Sequence, residues 1–199
     1  MESAGTLIPL WIKLAYTVFV LITVAVYAFN YPLANFLWFS DITLLGTVAA
    51  LWLESGLLAS MMALAVLLPD LLWNVSFFAR LATGKGIPGL TDYMFDPANP
   101  RYVRAFSLFH VFMPVLLVWM VARLGYPPQA LPAQTLLCWT VLALTYRLTE
   151  PQLNVNWVFG LGGKPQKRFP PLAYLGLLMV GFPVLVYLPT HLLLQWLLN

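Results

Sequence analysis

The chain has 199 residues, of which 9% are charged and 61% hydrophobic, with a net charge of +3 and a mean hydropathy of +0.83. That balance excludes a soluble globular chain, and so small a positive excess is no nucleic-acid footprint. One cysteine, Cys138, and two histidines exclude an internal disulfide and a Cys-cluster metal site; neither a metal nor a cofactor is expected. In lipid every backbone N–H and C=O must be paired within the chain. The expected fold is therefore all-α, a polytopic integral membrane helix bundle forming one transmembrane domain over residues 1–199.

A span needs about 20 predominantly apolar residues, and the chain offers about six. The first runs from Leu7 to Phe29 and stops at Asn30-Tyr31-Pro32. Glu2 and Lys13 replace a basic leader, so Leu14 to Phe29 is read as a retained span. The second runs from Asn35 to Trp52, and Glu54-Ser55-Gly56 forms a turn. The third covers Leu57 to Phe78, with Pro69 beside Asp70. Glycines and prolines punctuate a polar loop from Arg80 to Arg104. The fourth span covers Ala105 to Leu124 and the fifth Leu131 to Tyr146. A second long loop, Arg147 to Pro170, carries Asn154, Asn156, Trp157 and the basic trio Lys164, Lys167 and Arg168. The sixth span covers Pro171 to Leu198, with Pro183 and Pro189 expected to bend it.

With six spans, one side holds Lys13 and Arg123, and the other holds Arg80, Lys85, Arg101, Arg104, Arg147, Lys164, Lys167 and Arg168. The positive-inside bias predicts that the two long loops face the cytoplasm. The expected location is a bacterial inner membrane. On this topology Ser40 and His110 each lie five residues into a span, ~7.5 Å at 1.5 Å per residue. Asp70 and Asn74 share a helix face near the same side. Tyr146, Glu150, Asn154 and Asn156 follow the end of the fifth span. One intramembrane polar residue is commonly a helix–helix hydrogen bond. A layer drawn from four segments reads as a site.

The residue types allow specific chemistry. A serine hydroxyl becomes nucleophilic when an imidazole takes its proton, so Ser40 and His110 form a candidate pair. Asp41 or Asp70 would orient the imidazole. Asn154 or Asn156 would donate to an oxyanion or a lipid headgroup, although such asparagines also close turns. Trp38, Trp73 and Trp157 fit an interfacial belt, with Trp38, Trp157 and Asn74 also candidate substrate contacts. His191, at the opposite end, is read as interfacial. Zinc in a hydrolase wants three protein ligands, and the two histidines fall at opposite faces.

The second span reads Phe36-Leu37-Trp38-Phe39-Ser40-Asp41-Ile42, the fourth opens Ser107-Leu108-Phe109-His110 with Pro114 following, and the second loop reads Asn154-Val155-Asn156-Trp157-Val158-Phe159, then Lys164-Pro165. In this order, over about Asn35 to Pro171, the chain resembles the superfamily of small polytopic lipid enzymes that includes the YwaF-like bacterial membrane proteins and the androgen-induced-gene hydrolases. In the first branch a nucleophilic cysteine falls opposite Ser40. In the second, Asp41 matches and a nucleophilic threonine falls opposite Trp38. Both have an essential histidine near the start of the matching fourth span. The resemblance implies lipid acyl chemistry. The reading is thus a membrane-embedded serine–histidine ester hydrolase or acyltransferase whose partner is a membrane lipid substrate. The alternative is a non-enzymatic lipid or small-molecule binder or transporter with proton-linked Asp41 and Asp70.

Overall fold

A computed structural model of the chain describes residues 6–162 and 164–198; Glu2 lies outside them. Among the described residues there is no strand. The elements are α1 (Leu10–Asn30), α2 (Phe39–Leu53), α3 (Gly56–Thr83), α4 (Arg101–Phe106), α5 (Phe109–Leu124), α6 (Ala130–Leu148), α7 (Pro171–Gly181), a π-helical segment (Phe182–Tyr187) and α8 (Leu188–Leu198). Short 3-10 turns precede α2, α4 and the Val158 region.

Four helical stretches are long and apolar enough to cross a membrane: Leu10–Asn30, Gly56–Thr83, Arg101–Leu124 and Pro171–Leu198. The chain is thus all-helical with membrane-length helices, and the expectation of about six spans meets four that qualify. The second apolar run is shorter than expected: α2 has 15 residues, ~22 Å at 1.5 Å per residue. The reason is local. Pro32 starts a 3-10 turn over Leu33–Leu37, and Trp38 is extended, so the α-helix opens only at Phe39. The fourth run is likewise broken, at Ser107 and Leu108, between α4 and α5. Ser40 and His110 are therefore not five residues into their helices. Each is the second residue of one.

Helix α3 is the spine of the bundle and packs against α2, α5, α6, the π segment and α8. Its N-terminus is capped by Ser55, whose hydroxyl accepts from Leu58 N, and Gly84 ends it with φ 75°. Small residues allow its neighbours close: a Cβ on Gly46 of α2 would collide with the Met62 sulfur. One apolar core joins α1, α2, α3 and α5 around Leu51, Ala63, Met113 and Leu117. A second joins α3, α6 and the π segment around Leu64, Leu142 and Tyr187.

Prolines inside the helices release carbonyls from the i→i−4 ladder. Pro183 releases Met179 O, and Trp139 Nε1 of α6 donates to it at 2.7 Å. Pro114 of α5 releases His110 O, which takes a donor from α3.

The turn between α2 and α3 anchors the N-terminal end. Glu54 is left-handed, φ 48°. Its carboxylate accepts from Lys13 Nζ at 2.8 Å, Leu7 N at 3.0 Å and Ile8 N at 3.1 Å. The Lys13 ammonium, then the two amides, hold the carboxyl below its ordinary 4.5. A carboxyl depressed on folding stabilises above its unfolded pKa, and that contribution is lost as pH falls through the folded value. Melting in detergent should therefore drop as pH is lowered below 4.5. Glu54→Gln should lower Tm at neutral pH and remove that share of the acid sensitivity. A variant melting like wild type at neutral pH would show that the latch carries no stability.

Candidate functional site

A cavity of about 620 Å³ lies where the N-terminal turns of α2 and α5 meet α3, at the end of the bundle that carries both long loops. That volume is in the range of small-molecule sites. Its wall includes Trp38, Ser40, Asp41, Asp70, His110, Asn156 and Trp157, so seven of the nine sequence-derived candidates reach one space.

The strongest contact is between Asp70 and His110. Asp70 is 2% exposed, and its Oδ1 lies 2.8 Å from His110 Nδ1, a hydrogen bond in which an ionised Asp70 is the acceptor. The imidazole stacks on Trp73 (centroids 4.8 Å, 24°) and on Phe109 (4.2 Å, 28°). A ring bonded at Nδ1 and held by two aromatic neighbours has a defined plane, and an ionised Asp70 favours the tautomer with the proton on Nδ1. Nε2 has no partner among the described residues, and His110 lines the cavity. That nitrogen is the available base.

Of the two acids that could orient His110, Asp70 does so. Asp41 makes no bond to His110. It is 4% exposed, receives Asn35 Nδ2 at 3.4 Å on Oδ2, and its Oδ1 has no partner. Ser40 is half-buried in the same cavity, and no hydrogen bond joins it to His110. Catalytic hydrogen bonds in unliganded sites often close only when substrate binds.

The asparagines are occupied. Asn156 has φ 51°, and its Oδ1 accepts from Phe39 N at 3.0 Å while Nδ2 donates to Leu37 O at 2.7 Å. It caps the start of α2 from 117 residues away. Asn154 Nδ2 donates to Gly160 O and Gly162 O, and Oδ1 accepts from Phe159 N. It closes its own loop and does not line the cavity. Neither amide is therefore free as an oxyanion donor, contrary to the expectation from sequence. The free donors lie nearby: Phe39 N is taken by Asn156, but Ser40 N and Asp41 N, in the first turn of α2, have no acceptor among the described residues.

Asn74 is a brace beside the cavity rather than a wall of it. Its Nδ2 donates to Asp70 O at 2.7 Å and to His110 O at 2.8 Å. The second carbonyl is the one Pro114 leaves without its ladder donor.

Several contributors are not evident from sequence. Trp73 fits a belt residue, but it is 4% exposed, stacks on His110, and donates from Nε1 to Tyr93 OH at 3.2 Å. Its i,i+3 spacing from Asp70 is the available signal. Tyr93 arrives on the first long loop, which folds back onto α3: Ser76 Oγ contacts Thr91 Oγ1 and accepts from Ile87 N, and Arg80 pairs with Asp92. Nothing local marks Tyr93. His191 stays at the far end, bonded through Nδ1 to Tyr126 OH at 2.7 Å. Among the described residues no three His, Cys, Asp or Glu side chains gather as a metal ligand set.

Comparison with known protein families, characterised proteins and solved structures returned no match.

The Asn74 brace gives a direct test of this local chemistry. Asn74→Ala should destabilise the protein by about 1–3 kcal/mol, the range for orphaning a buried acceptor. In a Pro114→Ala background the backbone N–H restored at position 114 can serve His110 O, so the same change should cost clearly less. Equal losses of Tm in both backgrounds would mean that Asn74 does not act through that carbonyl.

Proposed function

We propose that the chain is a membrane-embedded enzyme of acyl lipids, an ester hydrolase or acyltransferase. The observation carrying this reading is the Asp70–His110 contact of 2.8 Å with Nε2 left for a cavity that Ser40 also lines. An imidazole oriented by a buried acid is the base that a serine nucleophile needs.

In the first half of the reaction Ser40 Oγ attacks the ester carbonyl carbon while its proton passes to His110 Nε2. The carbonyl oxygen becomes an oxyanion near the free amides of Ser40 and Asp41, at the positive end of α2. Collapse breaks the acyl C–O bond, and the leaving alkoxide takes the proton from Nε2. Water or a lysolipid hydroxyl then gives its proton to Nε2 and attacks the acyl-serine, and Ser40 recovers a proton as it departs. Asp70 stays hydrogen-bonded to Nδ1 throughout. Water as acceptor gives hydrolysis; a lysolipid gives acyl transfer.

Location follows from the loops. The ends that flank the cavity carry Arg80, Lys85, Arg101, Arg104, Arg147, Lys164, Lys167 and Arg168. On the positive-inside rule we place them in the cytoplasm, in a bacterial inner membrane. The substrate would then come from the inner leaflet. The sequence resemblance to polytopic lipid enzymes points to the same chemistry.

A fluorophosphonate probe tests the nucleophile. It should label wild type and not Ser40→Ala, and Asp70→Asn should slow labelling by roughly 10²-fold or more, the scale of lost base catalysis. Equal labelling of wild type and Ser40→Ala would remove Ser40 from the mechanism and favour a non-enzymatic lipid binder.

A further inference from the structure

The cavity contains a second acid that the Asp70–His110 pair does not use. Asp41 is the third residue of α2, almost fully buried, with Oδ1 lacking any donor. A buried carboxylate oxygen without a hydrogen bond is costly. The positive end of α2 offsets part of that cost, but no amide reaches Oδ1.

No lysine or arginine among the described residues lines the cavity. Its acidic and basic wall groups are two carboxyls and one imidazole, and the imidazole already turns Nδ1 to Asp70. The same wall that holds Asp41 is rich in aromatic side chains, with Tyr27, Tyr31, Trp38, Tyr93 and Trp157. The faces of such rings attract cations, most strongly when water is excluded. In α3, Pro69 cannot donate to Ala65 O, no side chain replaces that donor among the described residues, and Ala65 is a wall residue. Acceptors and π faces without a matching cation disfavour an anionic group and favour a positive one.

The cavity wall includes residues of the bundle's exposed surface. Leu72 and Leu185 line the cavity and are 48% and 73% exposed. A ligand with an apolar tail can leave that tail in the bilayer.

We propose that this cavity recognises the ammonium group of an amine-bearing amphiphile. Asp41 is the counter-ion, the aromatic wall surrounds the cation, and the alkyl tail leaves between Leu72 and Leu185. This rests on reading the cavity as a lipid site, and it names the headgroup chemistry of that lipid. The ammonium can belong to a zwitterionic phospholipid or to a single-chain amine.

The test measures binding without turnover. Trp38, Trp73 and Trp157 border the cavity, so a bromoalkyl chain seated there quenches tryptophan fluorescence. Purified protein in maltoside detergent is titrated with bromodecyl-trimethylammonium, bromodecyl sulfate and the neutral tert-butyl isostere of the ammonium compound. The ammonium probe should half-saturate at a concentration about tenfold or more below the other two, a difference of ~1.4 kcal/mol. Asp41→Asn should abolish that preference. Equal half-saturation in wild type overturns the proposal, and this comparison needs no variant to fold. A folded Asp41→Asn that keeps the preference overturns it as well. Decylphosphocholine and decylamine then compete with the probe. Displacement by either supports the site and names the source; displacement by neither contradicts it. Equal fluorophosphonate labelling of wild type and Ser40→Ala with the ammonium preference intact would remove the serine chemistry and leave this site standing, so the two claims fail separately.

Discussion

A carbonyl released inside lipid must find a donor, and this constraint shapes the bundle around its cavity. Pro114 frees His110 O, and Asn74 takes it. That bond ties α3 to the first turn of α5 and sets the height of His110 against Asp70, one helical turn from Asn74. Pro183 frees Met179 O, and Trp139 takes it, fixing α7 against α6 just before the π segment. Pro69 frees Ala65 O, and there no side-chain donor follows among the described residues; Ala65 is a residue of the cavity wall. Pro114 and Pro183 thus build the scaffold, and Pro69 leaves a carbonyl without its ladder donor on a residue of the cavity wall.

The same economy governs the start of α2. A helix N-terminus has free amides, and here one is satisfied by a residue from the other long loop. Asn156 holds Phe39 N and Leu37 O together. It thereby leaves the next two amides, beside Ser40, open. The asparagine does not stabilise charge itself; it positions the helix end that can. Its left-handed backbone, shared with Asn154 at φ 41° and Trp157 at φ 58°, is strain of the kind that persists where surrounding contacts over-determine it.

Much of the architecture is legible in the sequence because lipid leaves few options. Apolar runs and turn residues locate the helical stretches, and the spacing of Asp70 and Asn74 places both on one face of α3. Helix starts are less legible. Ser40 reads as five residues deep because Asn35 to Trp52 is apolar almost throughout, while the true opening depends on Asn156, which is distant in sequence. The same distance hides the role of the asparagines: the partners of Asn156 are backbone groups of another segment, which no local pattern marks. Trp73 reads as a belt residue because composition registers an aromatic near a helix end and not the imidazole stacked on it.

The site joins a fixed imidazole, a serine hydroxyl and a carboxylate lacking a counter-ion within one aromatic space. The proposed chemistry requires His110 to hold its proton on Nδ1, toward Asp70, and to present Nε2 as a bare acceptor. Nitrogen NMR of imidazole-labelled protein reads that tautomer directly. The chain has two histidines, so His191→Gln leaves a single signal pair. The expected result is a protonated Nδ1 and an unprotonated Nε2 near neutral pH, with the assignment disturbed in Asp70→Asn. A proton resident on Nε2 would contradict it, since His110 could not then take one from a substrate or from Ser40.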